Sequence, residues 1–147
     1  MTGADILVQG LRSRGIEFLS TVCGNGLSPL LDACRRADFP VIDTRTEYGA
    51  AYLADAYARL TGKVAVVAVS SGIAHSNAFT GLMNAWFDGS PLLLLTGESA
   101  RHGANTGEFQ EFDHSGLAAP LCKYAARVED PAQIDHCLSE ALARAVA

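Results

Sequence analysis

Residues 64–72 read VAVVAVSSG: six apolar residues without a break, all of them valine or alanine and placed directly after Lys63, then two serines and a glycine. A run of strand length with no polar alternation is what a parallel strand needs when both of its faces are covered, so residues 64–69 are expected to form a central strand. The Ser-Ser-Gly that follows is a turn at its carboxyl end.

Working outward, the same alternation of strand and helix recurs on both sides. Upstream, residues 47–60 are an alanine-rich helix closed by Gly62, and residues 40–43 are a short strand. Before these come a helix over residues 28–37, opened by Ser28 as cap and Pro29, and a turn at 23–26. A strand at 16–22 and a helix at 2–14, capped by Thr2 with Asp5, complete the amino-terminal half. Downstream, a helix is expected over 73–87, a strand over 91–95, a long functional loop over 97–112 and a further strand over 121–128. Asp130-Pro131 caps a last helix with Ile134, Cys137, Leu138, Ala141, Leu142 and Ala145 on one face. This pattern predicts an α/β fold of three layers, αβα, around a doubly wound parallel sheet.

Composition sets the outer limits. The 147 residues suit one domain, with 49% hydrophobic and 18% charged residues and a net charge of −5. Mean hydropathy is +0.16. Charge this sparse predicts that part of the surface is covered by another chain or domain. No basic block could track a phosphate backbone, which argues against nucleic acid. The amino terminus carries no basic, cleavable leader pattern, and the uncharged run 64–87 is broken by Ser70, Ser71, Gly72, His75, Ser76 and Asn77, so neither a signal peptide nor a membrane span is expected. Cys23, Cys34, Cys122 and Cys137 form no CxxC pair and no zinc spacing with the histidines, which predicts reduced thiols, a cytoplasmic setting and no metal ligands on this chain.

In a doubly wound sheet ligands gather at the carboxyl ends of the strands, which singles out residues 23–28, 44–47, 70–77 and 97–112. Gly24-x-Gly26 lacks the third glycine of a dinucleotide fingerprint and the lysine of a phosphate loop. Glu47 opens a helix, where its charge suits the dipole whether or not it does chemistry. His75 among small residues reads as a hydrogen-bonded core histidine rather than a base. Asp113 and His114 are sequence neighbours and do not face each other as an acid–base pair.

Three longer strings carry a family likeness: TRTEYGAAYLADAYARLTGKVAVVAVSSG (44–72), NAWFDGSPLLLLTG (84–97) and EFQEFDHSGLAAPLCKYAARV (108–128). They resemble the N-terminal, pyrimidine-binding domain of thiamine-diphosphate-dependent enzymes, the group of acetolactate synthase, benzaldehyde lyase and 2-oxo acid decarboxylases. The resemblance implies that Glu47 bonds N1′ of the cofactor's aminopyrimidine, so that the ring's exocyclic amine can take the proton from thiazolium C2. It implies further that Cys23, Gly24 and Asn25 form the loop beside the thiazolium, that Ser71, Gly72 and Ile73 form the turn under the pyrimidine, that Asn77 lies on the next helix, and that Gln110 is an active-site glutamine. Thr46 stands where the family often has histidine, and Gly72-Ile73-Ala74 where it often has Gly-Pro-Gly.

The resemblance also implies a partner. Family members bind diphosphate and Mg²⁺ on a second domain through a Gly-Asp-Gly motif, which does not occur in this sequence. Residues 1–147 are therefore expected to be a single pyrimidine-binding domain, short of a last strand and of its diphosphate-binding domain or subunit. It is expected to be inactive alone, to form a dimer or tetramer, and to serve an enzyme that makes or breaks carbon–carbon bonds in 2-oxo acids or 2-hydroxy ketones. The alternatives are the alpha subunit of a two-chain decarboxylase of the sulfopyruvate or phosphonopyruvate type, and a non-catalytic regulatory module with the same fold.

Overall fold

The computed structural model describes residues 1–99 and 106–147. Four parallel strands form one sheet in the order β2-β1-β3-β4, with β1 at Leu19–Thr21, β2 at Val41–Asp43, β3 at Ala65–Val69 and β4 at Leu92–Thr96. β3 is an interior strand, as its unbroken apolar run requires. Its alternate residues serve two cores: Val66 and Ala68 join one cluster, and Ala65, Val67 and Val69 the other.

The first cluster is closed by α1 (Gly3–Ser13), α2 (Ser28–Arg36) and α7 (Ile134–Val146), through Val8, Leu11, Leu30, Cys34 and Leu138. The second is closed by α3 (Glu47–Thr61), whose Ala50, Ala51, Ala54 and Ala58 lie flat on the sheet. α5 (Phe79–Asp88) crosses α3 so closely that a Cβ on Gly81 would come within 2.4 Å of Ala51 Cβ. These are the three layers expected, wound in both directions from the gap between β1 and β3.

Local signals hold at the best-marked ends. Thr2 and Asp5 form a full capping box on α1, and Gly62 ends α3 in the left-handed region at φ 70°. Five expectations are corrected. Strand β1 is three residues long and not seven. Ser28 is the first residue of α2 and makes no side-chain cap; the turn Asn25–Leu27 leads straight into the helix. The helix expected over 73–87 is two, α4 (Ile73–Asn77) and α5, meeting at Ala78, which is buried against the second cluster. The strand expected over 121–128 is not formed. That segment stands away from β4 across an apolar groove of about 590 Å³ that α7 also borders, so it has no ladder to join. α6 (His114–Ala118) and a 3₁₀ turn at Ala119–Leu121 precede it. Asp130 caps a separate turn, Pro131–Gln133, from which α7 continues. The expected loop over 97–112 lies partly outside the described residues. No described helix is long and apolar enough to cross a membrane.

Candidate functional site

Because all four strands are parallel, every strand exit opens on one edge of the sheet, and the gap between β1 and β3 is the switch point where a ligand crevice forms. Three exits are locked together by glycines. A Cβ on Gly24 would lie 2.6 Å from Ser70 Cβ, and one on Gly97 would lie 2.7 Å from the Gly26 carbonyl oxygen. The Ser70 hydroxyl accepts from the Gly26 N–H at 3.2 Å, and Thr96 donates its hydroxyl to the Ser70 carbonyl at 3.1 Å. The loop at 23–26 is thereby pinned over the end of β3.

Glu47 is the first residue of α3. Thr46 caps that helix, its hydroxyl accepting from the Gly49 N–H at 3.1 Å. The Glu47 side chain is half-buried above the fully buried Ala50, Ala51 and Ala54. Asn77, the last residue of α4, donates from Nδ2 to Glu47 Oε2 at 3.2 Å. Thirty positions apart in sequence, these two residues are tied at one point.

A second pair forms on the turn after β3. Gly72 has φ 59° and ψ −114°, a conformation open in practice only to glycine, and a Cβ there would fall 2.6 Å from Gln110 Cβ. Ser71 donates its hydroxyl to Gln110 Oε1 at 3.1 Å, which leaves the amide nitrogen of Gln110 as its donor end. Gln110 itself has φ 60°. Cys23 and Asn25 are exposed on the same edge, and Ile73 is 67% exposed; among the described residues no hydrogen bond ties these three to the other members.

Behind the turn lies a pair of histidines that sequence reasoning treated separately. His75 and His114 are each 3% exposed, with ring centroids 4.7 Å apart and planes at 89°. Gly72 donates its N–H to His114 Nε2 at 2.8 Å, and His75 Nε2 lies 3.1 Å from the His114 carbonyl oxygen. Burial, and then the neighbouring His114, push the His75 imidazole down to about 4. His75 is a core histidine, as expected, and Asp113 faces away from His114 to cap α6 through the Gly116 N–H. Ser70, Gly97 and Glu98 lay within the strand-exit loops singled out from the sequence but were given no role of their own, and His114 was weighed only as a neighbour of Asp113. The strand-exit positions of Ser70 and Gly97 are the signal that could have given them one; His114 meets Gly72 across 42 positions, and no periodicity reports that.

The described residues include no group of three or more His, Cys, Asp or Glu placed to hold a metal ion. The polar groups on this edge are the Glu47 and Glu98 carboxylates, small hydroxyl and amide groups, and bare backbone at glycine turns.

Comparison with known proteins agrees in class. Residues 1–117 match the family model described as thiamine pyrophosphate enzyme, N-terminal TPP binding domain. The chain is 39% identical over 141 residues to 2-hydroxyacyl-CoA lyase 2 of Danio rerio, covering 96% of this chain and 23% of that protein. It is 39% identical over 143 residues to the Homo sapiens protein of the same name, covering 97% and 23%. It is 36% identical over 145 residues to acetolactate synthase of Arthrospira platensis, covering 96% and 25%. The chain thus spans about a quarter of the length of these curated relatives.

Proposed function

The chain belongs to the family of N-terminal TPP-binding domains of thiamine pyrophosphate enzymes, and from that premise we propose that Glu47 is the residue through which it activates the cofactor. The observation that carries this reading is the contact at 3.2 Å between Asn77 Nδ2 and Glu47 Oε2. It fixes one carboxylate oxygen and leaves Oε1 to hold a proton toward a ring nitrogen. The half-buried position at the amino end of α3 limits competition from water for that proton.

When bound, thiamine diphosphate supplies a nucleophilic thiazolium carbon and an electron sink for making or breaking carbon–carbon bonds. This chain's residues do the rest of the work at the pyrimidine end. Glu47 exchanges the proton at N1′, and Asn77 orients its carboxylate. Gly24, Asn25 and Cys23 border the crevice from the β1 side. Ser71, Gly72 and Ile73 form the turn that would hold the ring, and Gln110, held by Ser71, would offer its amide to the substrate. Relatives named 2-hydroxyacyl-CoA lyase and acetolactate synthase support a lyase or transferase acting on 2-oxo acids or 2-hydroxy ketones.

Mg²⁺ and the diphosphate are proposed to be held by a partner domain or subunit, which in the family carries the Gly-Asp-Gly motif that residues 1–147 do not contain. The test is Glu47→Gln in the protein completed by its diphosphate-binding partner, read by NMR as the exchange rate of the thiazolium C2 proton. Loss of a positioned acid–base group predicts a rate lower by roughly 10²-fold or more. An unchanged rate with a slightly shifted melting temperature would return Glu47 to the role of a helix-start residue and favour a non-catalytic module.

A further inference from the structure

The His75–His114 pair meets the turn of the site through a hydrogen bond from the Gly72 N–H. We propose that His114 is a positioning residue for Gln110: its neutral imidazole clasps the turn after β3 and so holds the segment carrying Gln110 against that turn. The inference rests on the reading that places Gln110 in the site.

The hydrogen bonds fix both tautomers. Gly72 N–H is a donor, so His114 Nε2 must be the bare acceptor, and the ring proton sits on Nδ1, 3.6 Å from Glu98 Oε1. The His114 carbonyl can only accept, so His75 carries its proton on Nε2. The clasp therefore grips residue 114 twice, by side chain from Gly72 and by backbone from His75, both belonging to the stretch that leaves β3. Phe79 and Phe112 meet the rings edge-on at 4.8 Å (Phe79 to His75) and 5.0 Å (Phe112 to His114), which excludes water from them.

Four residues back along the same segment, Gln110 is held by Ser71 and packed over Gly72 in a left-handed conformation that its own preference does not supply. The packing of His114 and the Ser71 bond bracket this residue and impose that conformation. A second proton on His114 would set N–H against N–H at the Gly72 contact and open the clasp. Among the described residues, the charged and titratable groups facing His114 are His75 from α4 and Glu98 from the exit of β4. Arg127 lies 3.1 Å from the other Glu98 oxygen and 3.7 Å from Glu129.

Two measurements test this. First, ring ¹⁵N spectra of the chain at pH 7 should show His114 neutral with its proton on Nδ1 and His75 neutral with its proton on Nε2. A proton on His114 Nε2 would overturn the clasp whatever the site does.

Second, turnover is compared in the completed enzyme for His114→Leu, His114→Gln, Gln110→Ala and the double variant His114→Leu/Gln110→Ala. Misplacement of Gln110 predicts that His114→Leu costs at least roughly tenfold in kcat. His114→Gln, which offers an amide oxygen where Nε2 was, should recover most of that loss and should fold even if the leucine variant does not. In the Gln110→Ala background the leucine substitution should cost nothing further. Losses that multiply, or a glutamine variant no better than leucine, would overturn the positioning role while leaving Gln110 in the site. An unimpaired Gln110→Ala variant would instead remove Gln110 from the site and the positioning role with it, with the Glu47 reading untouched.

Discussion

At the scale of single residues, burial of His75 has a consequence for stability that does not depend on catalysis. Its imidazole is held down to about 4 in the folded chain, mainly by burial, against an ordinary value of 6.5. Between those two values the unfolded chain binds a proton that the folded chain refuses, so stability falls as pH drops from about 6.5 to about 4 and is constant with respect to this group outside that window. The full difference is about 3 kcal/mol. Urea unfolding of the wild-type chain across this range, set against His75→Phe, should show a steeper decline in the wild type. Parallel curves would mean that the ring is hydrated. The pairing of Glu47 with Asn77 belongs to the same scale, since each is an ordinary helix residue until the fold brings them to 3.2 Å.

At the scale of elements, Gly81 separates two arguments that point in opposite directions. Helix propensity alone says that Gly81→Ala should stabilise α5 by about 1 kcal/mol. Packing says otherwise, because the added Cβ would sit 2.4 Å from Ala51 Cβ and 2.8 Å from the Ala51 carbonyl carbon, and backbone cannot yield as a flexible side chain does. Overpacking of this kind costs about 1–3 kcal/mol, so a net loss of stability is expected in denaturant unfolding. A more stable variant would show that α3 and α5 are free to separate. Elements were legible in the sequence wherever a residue type answers to a local constraint: the apolar run of β3, the Thr2–Asp5 box and the left-handed Gly62 all act within a few positions. They were misread where long-range packing decides. Residues 121–128 have strand-like composition but face a groove, and the break at Ala78 follows from its place on the second core. Of the candidate site, Glu47, Asn77, Ser71, Gly72 and Gln110 came from resemblance; their pairing, and the histidines behind them, required coordinates.

At the scale of the molecule, α3 and α5 present a group of exposed apolar side chains on the outside of the sheet. Tyr48 and Tyr52 on α3 are 50% and 44% exposed, and Met83, Trp86 and Phe87 on α5 are 41%, 47% and 80% exposed. The two helices touch at Gly81, beside the Tyr52 N–H, so these residues belong to one side of the three layers. A chain with only 18% charged residues has little with which to rim such a surface. The expected outcome is association of two copies through these helices, burying at least ~1,200 Å² in total, the lower end for a stable specific interface. The net charge of −5 opposes association only weakly at physiological salt, where charges beyond about 8 Å are screened. Sedimentation velocity on the wild-type chain should therefore show a dimer at tens of micromolar or above. Tyr52→Glu with Phe87→Glu should shift it to monomer without changing its circular dichroism, because both side chains are exposed and neither belongs to a core cluster. A compact monomer that persists at high concentration would mean that this face is left for a different chain, and the glutamate pair would then have no effect on the sedimentation coefficient.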